Sequence, residues 1–113
     1  MKKFIVIYHA TPEAVKQMAA ATPKQQAKSM EGWMKWAQKS GDQLVEMGAP
    51  LMNGISISPD GTSKKSRKNV TGYSIVQAET LDKAKKLFKG HTHLKSNEQC
   101  TIEVHEIMPV PGM

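Results

Sequence analysis

Histidine is the residue type through which this chain of 113 residues could do acid–base chemistry. The imidazole titrates near neutral pH, so it can accept or release a proton during a reaction. The four histidines are His9, His91, His93 and His105. His91 is the first candidate, because it follows a predicted helix in a loop that should lie near the mouth of the fold. The alternative interpretation is structural, since a histidine at a helix C-terminus complements the helix dipole.

Carboxylates near these histidines could complete a proton-transfer site. Glu103 and His105 are two residues apart in a predicted strand, so they share one face and could shift each other's pKa. A hydrated pair at the rim of the sheet is the alternative. Asp60, in a Pro-Asp-Gly turn, is a further partner for His91 in a cleft between helix and sheet. The predicted catalytic residues are therefore His91, Glu103, His105 and Asp60.

Cofactor and metal signatures are absent from the sequence. No glycine-rich phosphate loop follows a strand, and the single cysteine, Cys100, excludes a cysteine cluster. His91 and His93 would need a third ligand, and a structural zinc site would normally show thiolates. We predict no cofactor and no metal site, and we interpret Cys100 as a small buried residue.

The stretch from Gly72 to His91 gives the clearest structural signal. A β-branched and aromatic strand, 70–78, is followed by Thr80 as the N-cap of a helix over 81–89, which Gly90 ends. The other predicted elements are a strand at 3–8, a short helix at 11–21, a main helix at 24–47, and strands at 51–58 and 100–107. Gly41 marks a kink or an end of the main helix. The apolar face of that helix extends to Leu44 and Met47. We assign Met30, Trp33, Met34 and Met47 to the core and Trp36 to a pocket or interface.

This order of elements predicts a single α+β domain over residues 1–113. Strand, helix, strand, strand, helix, strand is the ferredoxin-like pattern, with an antiparallel sheet and both helices on one face. The other face is bare and carries apolar residues from the first strand, together with Tyr73 and Ile75. Because a large apolar face needs a cover, we predict a homodimer that packs sheet against sheet.

The formal net charge of +6 raises the possibility of a nucleic-acid partner. The basic cluster consists of Lys64, Lys65, Arg67 and Lys68. No aromatic residue is interleaved with it, so base stacking is not offered, and we interpret residues 60–69 as an exposed loop, with 108–113 as a tail. No segment is apolar enough to predict a membrane span or a signal peptide. Together with the single cysteine, this predicts a cytoplasmic protein.

Five motifs resemble the YCII-related family over nearly the whole chain. They are KKFIVIYH, GDQLVEMGAPL, the Pro-Asp-Gly turn, GYSIVQAETLDKAKKLFKGH and TIEVHEIMPVPG. The resemblance implies a dimeric α+β barrel in which a histidine on the main helix acts with a nearby aspartate. The helix predicted here contains no histidine, and Met30 to Trp33 occupy about that place. The family's acid–base residue is therefore not carried over, which gives His91 more weight.

Three functions follow as hypotheses. The first is a small-molecule lyase or isomerase that uses histidine acid–base chemistry in the cleft between helix and sheet. The second is a non-catalytic binding or regulatory dimer that holds a metabolite in the same cleft. The third, which the missing aromatic residues disfavour, is a nucleic-acid accessory protein that acts through the basic loop.

Overall fold

A four-stranded antiparallel sheet organises the chain in the computed structural model, which describes residues 1–112. The strands are β1 (Lys2–Ala10), β2 (Leu44–Pro50), β3 (Ile55–Ile57), β4 (Ser63–Lys65), β5 (Val70–Ala78) and β6 (Cys100–Glu106), and the helices are α1 (Pro12–Ala19), α2 (Pro23–Ser40), α3 (Leu81–Lys86) and α4 (Thr92–Ser96). The sheet has the order β2-β5-β1-β6, and β3 and β4 form a separate hairpin. The ferredoxin-like α+β class predicted from the sequence is confirmed.

Threonine caps start the helices where the sequence predicts them. The Thr11 and Thr22 side chains each accept a backbone hydrogen bond, and each is followed by proline at the first helical position. Thr22 also forms a reciprocal capping box with Gln25. Thr80 caps α3 in the same way, through the backbone N–H of Lys83. These contacts satisfy backbone groups that the helices leave unpaired.

The main helix is shorter than predicted, and the predicted helical segment beyond Ser40 is wrong. Gly41 has φ +54° and ψ −127°, a conformation that ends α2, and Leu44–Pro50 pairs with β5 as an edge strand. The apolar spacing of Leu44 and Met47 fits a helix as well as a strand, so the sequence pattern does not distinguish the two. Pairing along β5 prevails because it satisfies the backbone groups of both strands.

The hairpin β3–β4 replaces the longer strand predicted at 51–58. The Pro59-Asp60-Gly61 turn is present as predicted and joins the two strands, with Gly61 at φ +87°. Part of the predicted basic loop, Ser63–Lys65, is a strand, although the residues of the segment remain largely exposed.

The two faces of the sheet differ sharply in burial. The helix-facing side carries the core, which consists of Phe4, Val6, Tyr8, Val76 and Ala78 from the strands and Trp36, Ala84 and Phe88 from the helical side. The opposite face presents half-buried side chains, among them Ile5, Ile7, Tyr73 and Ile75. We call this second surface the open face.

Gly48 lies where the backbones of β2 and β5 approach closely, and a substitution there tests this approach. It has φ +79°, and an added Cβ would lie 1.8 Å from the backbone oxygen of Tyr73. Gly61, at φ +87°, has nothing within 4 Å of such a Cβ. Gly61→Ala should therefore lower the free energy of unfolding by about 1 kcal/mol, the cost of a left-handed Cβ alone. Gly48→Ala should lower it by about 3 kcal/mol or more, because the strands must also separate. Urea denaturation of both variants measures the difference, and equal losses would contradict the close approach.

Candidate functional site

A pocket of about 350 Å³ opens on the helix side of the sheet. Its wall is formed by α2, the ends of β2 and β5, Tyr8 of β1 and His93 of α4. Most of the lining is apolar, with Met18, Met30, Met47 and Trp33 as its largest members. A few polar groups set in an apolar cavity of this size are typical of small-molecule sites.

His93 supplies a basic nitrogen to this pocket. Its Nε2 lies 2.9 Å from the backbone oxygen of His9 and 3.1 Å from that of Thr101. Both partners are acceptors only, so Nε2 carries the proton and Nδ1 of the neutral ring carries a lone pair. Among residues 1–112 the one fully enclosed side-chain nitrogen or oxygen without a partner is Nε2 of His91. Nδ1 of His93 is therefore not a fully enclosed unpaired atom, and His93 is one of the residues that line the pocket.

The protonation state of His93 suits a base. Burial lowers the pKa of His93 below its usual value, and the hydrogen bonds to the carbonyls of His9 and Thr101 oppose that shift. The ring is thus neutral at neutral pH and can accept a proton on Nδ1.

Tyr8 places a second acceptor beside His93. The Tyr8 hydroxyl lies 2.8 Å from Oγ of Ser74, and the Ser74 hydroxyl donates to the backbone oxygen of Met47 at 2.7 Å. Tyr8 therefore donates to Ser74 and keeps lone pairs on its own oxygen. Burial raises the pKa of Tyr8 to about 12, although the bond to Ser74 lowers it, so the hydroxyl stays protonated. The rings of Tyr8 and His93 lie edge to face, with centroids 5.3 Å apart.

His91, the first candidate from the sequence, lies behind the pocket and is only 1% exposed. It caps the N-terminus of α4, because its Nδ1 accepts the backbone N–H of His93 at 2.9 Å. Rings of Tyr8, Trp33, Trp36 and Phe88 surround it at centroid distances of 4.5 to 5.8 Å. Burial, and secondarily the charge of His93, lowers the pKa of His91 to about 4. This geometry makes His91 a support for His93.

Glu103 and His105 share the open face, as their spacing predicts. Nε2 of His105 lies 2.8 Å from one carboxylate oxygen of Glu103, and Nε2 of His9 lies 3.8 Å from the other. The bond to His105, and then the charge of His9, lowers the pKa of the Glu103 carboxyl. His9 and Glu103 also border an open hollow of about 690 Å³. The sheet separates Glu103 and His105 from His91, so the predicted pairing of His91 with Glu103 does not occur in the structure.

Asp60 is also remote from the pocket wall. It lies in the turn of the β3–β4 hairpin, where its carboxylate accepts hydrogen bonds from the backbone N–H and the hydroxyl of Thr62. These bonds lower the pKa of Asp60 and give the carboxylate a structural role in the turn. Asp60 and His91 do not lie together, so their predicted pairing does not occur in the structure either.

Trp36, predicted for a pocket or interface, is a core residue, whereas Trp33 packs against the core as predicted and also lines the pocket. Trp36 is buried and donates from Nε1 to the backbone oxygen of Leu87 at 2.8 Å, whereas Trp33 lines the pocket. Met30 and Met34, predicted to be core, are exposed. The prediction used Leu44 and Met47 to set the apolar face of the helix, and those residues belong to β2.

Tyr8 and His93 are the site residues that sequence reasoning missed. The alternation along β1 already placed Tyr8 on the same side as Phe4 and Val6. His93 carried a weaker signal, as a histidine three residues after Gly90, the predicted end of the helix. Which carbonyls accept a hydrogen bond from its Nε2 depends on the packing of α4 against two strands, at His9, 84 residues away, and at Thr101, 8 residues away.

Three further findings concern metal ligands, membrane-spanning helices and the cysteine. Residues 1–112 contain no group of three or more histidine, cysteine, aspartate or glutamate side chains that could hold a metal ion. In that same range, every helix is too short or too polar to span a bilayer. Burial raises the pKa of the Cys100 thiol, consistent with its interpretation as a small buried residue.

Comparisons with known proteins bear on the fold. No protein-family model matches the chain, and no curated protein matches it in sequence. Among solved structures, it is similar to 5-chloro-2-hydroxyhydroquinone dehydrochlorinase (TftG) from Burkholderia phenoliruptrix AC1100, in complex with 2,5-dihydroxybenzoquinone. The TM-score is 0.52 at 11% identity, over 89% of this chain and 90% of that chain. The fold is that of the dimeric α+β barrels. At this identity the likeness shows the fold alone, and membership of the YCII-related family stays a prediction.

The buried imidazole of His91 predicts a pH-dependent stability. Its folded pKa of about 4 lies below the usual 6.5, so the unfolded chain binds more protons between these values. The stabilisation from keeping the ring neutral is fully present above pH 6.5 and is lost as the pH falls through about 4. It amounts to about 3 kcal/mol.

His91→Asn tests this dependence, because asparagine keeps an N-cap acceptor but does not titrate. Urea denaturation between pH 4 and pH 7 should show a smaller loss of stability on acidification for the variant than for the wild type. Part of the dependence should remain, since the pKa of His93 is lowered in the same direction. An unchanged pH dependence in the variant would exclude His91 as its source.

Proposed function

We propose that the protein is a small-molecule enzyme of the lyase or isomerase type, with His93 as the base and Tyr8 as the group that holds the substrate. The main support for this proposal is the tautomer of His93, which its hydrogen bonds fix. Two backbone carbonyls hold its Nε2–H, so the lone pair of the neutral ring is on Nδ1, and His93 lines an apolar pocket.

The pocket suits a planar, hydroxylated aromatic substrate. Nδ1 of His93 and the Tyr8 oxygen are both acceptors, so they match a ligand that offers two O–H donors. Trp33 and the methionine side chains supply an apolar surface for a ring. The volume of about 350 Å³ exceeds the roughly 150 Å³ of a cavity that holds benzene, which leaves room for substituents. The quinone present in the dehydrochlorinase complex is a ligand of the same chemical kind.

The proposed chemistry is transfer of a proton from a ring hydroxyl to Nδ1 of His93. The electron pair of the O–H bond forms a ring carbonyl, and the proton on Nδ1 passes to a ring carbon, which completes an isomerisation and leaves Nδ1 free. If that carbon carries a leaving group, Nδ1 takes the proton of a second hydroxyl as the anion leaves, and this completes a lyase reaction. Tyr8 stays protonated throughout and orients the ring by accepting a hydrogen bond from a hydroxyl.

Replacement of His93 tests the proposed base. His93→Gln keeps an N–H donor for the two carbonyls but removes the basic nitrogen, and should lower turnover about 100-fold or more. His105→Gln, the same substitution on the open face, should leave turnover unchanged. Turnover is followed by ultraviolet absorbance with a panel of chlorinated and unchlorinated di- and trihydroxybenzenes, and binding by calorimetry.

The same experiment separates the enzyme from a binding module. Binding that needs His93, without turnover by the wild type, would replace the enzyme by a non-catalytic metabolite-binding protein. Equal behaviour of the His93 and His105 variants in both measurements would overturn the assignment of the site to this pocket.

The open face supports a homodimer as the working assembly. Ile5, Ile7, Tyr73 and Ile75 give it an apolar centre that no helix covers within residues 1–112. The fold class is one in which two sheets pack together, which favours a second copy of the chain as the cover.

Dimerisation predicts a mass of two chains in sedimentation at micromolar concentration. Ile75→Lys, which places a charge at the centre of the open face, should give a mass of one chain. Ile57→Lys is a matched control, because Ile57 is also an exposed isoleucine but lies in the hairpin, outside the four-stranded sheet. A wild-type mass of one chain would contradict the dimer.

A further inference from the structure

The pocket continues into a second chamber of about 560 Å³ between α1, α2 and the segment that joins α4 to β6. The two cavities share five lining residues, which are Met18, Ser29, Met30, Trp33 and Ser96. Because they share these residues, the two cavities are adjacent, with the inner one at His93 and the outer one towards α1. We call the two cavities together the channel, and a substituent on a ligand in the inner one would point towards the outer one.

The channel is uncharged along its whole length. No lysine, arginine, aspartate or glutamate lines either chamber, although the chain contains 16 basic and 10 acidic residues. The titratable side chains of the lining are Tyr8, whose pKa is raised, and His93, whose pKa is lowered, so both are neutral near pH 7. An anionic ligand would gain no cationic partner in either chamber, and against the apolar wall of the inner one it would also lose water, which is unfavourable.

Carboxamide side chains dominate the polar part of the outer chamber. Gln17 accepts a hydrogen bond from Nδ2 of Asn97 at 2.6 Å, so its own amide N–H groups remain as donors. Gln26 donates from Nε2 to the backbone oxygen of Ala21 at 3.2 Å, so its amide oxygen remains as an acceptor. A donor and an acceptor of this kind match an uncharged amide better than a carboxylate, which only accepts.

We propose that the channel selects uncharged hydroxylated aromatics with an uncharged hydrogen-bonding substituent, such as a carboxamide, and rejects the corresponding carboxylates. This inference rests on the proposed function, because it assigns the substituent to the outer chamber and the hydroxylated ring to His93. Ser29, at the junction of the two chambers, is the position at which the selection can be altered.

A matched pair of ligands tests the inference by calorimetry at neutral pH and physiological ionic strength. The pair is 2,5-dihydroxybenzamide and 2,5-dihydroxybenzoate, with 1,4-dihydroxybenzene as the unsubstituted reference. The wild type should bind the amide at least 10-fold more tightly than the carboxylate. Ser29→Lys, which brings an ammonium group to the junction, should reverse or abolish this preference, whereas the uncharged control Ser29→Gln should retain it.

The outcomes distinguish this inference from the function on which it rests. If 1,4-dihydroxybenzene binds in a manner that requires His93, but the carboxylate binds as tightly as the amide, the selection is refuted and the proposed function stands. An amide preference that Ser29→Lys leaves unaltered would refute the channel as its source. If none of the three ligands binds, or if His93→Gln binds them as the wild type does, both proposals fall.

Discussion

The hydrogen bonds from Nε2 of His93 to the backbone oxygens of His9 and Thr101 are the interaction on which the candidate site depends. His9 and Thr101 face each other across β1 and β6, so a single side chain ties the five-residue helix α4 to two neighbouring strands. A helix this short has little stability of its own, and its position must come from such contacts. The same bonds decide which ring nitrogen is basic. The same two hydrogen bonds therefore fix both the position of α4 and the protonation state of the His93 ring.

Close packing behind α4 reinforces this arrangement. Gly32 of α2 approaches Thr92 so closely that a Cβ there would lie 2.2 Å from the threonine hydroxyl. His91 then fills the space among four aromatic rings and caps α4 through its Nδ1. A neutral imidazole is required there, because a charged one would be buried without a partner. His91 thus contributes a rigid backing to the site, while His93 faces the pocket.

Local signals in the sequence predict the elements well, and long-range contacts decide where they fail. Thr11, Thr22 and Thr80 each announce a helix start through side-chain chemistry that acts within four residues. The end of α2 is different, because Leu44 to Met47 suits a helix or a strand, and only pairing with β5 selects the strand. Tyr8 was predictable as a helix-facing residue from strand alternation. The role of His93 was not predictable, since its two hydrogen-bond partners lie 84 and 8 residues away, beyond the range of local sequence signals.

The β3–β4 hairpin has a consequence for the solubility of the protein. Ile55 and Ile57 are 64% and 68% exposed, and a two-stranded hairpin leaves a free backbone edge on each strand. Such an edge is a template on which further chains can add in an uncontrolled, amyloid-like manner. Lys64 and Lys65 pair with Ser56 and Ile55 across the hairpin, and charged side chains at an edge oppose that addition. Lys64 and Lys65 therefore occupy the kind of edge position at which natural sequences place charges that oppose aggregation.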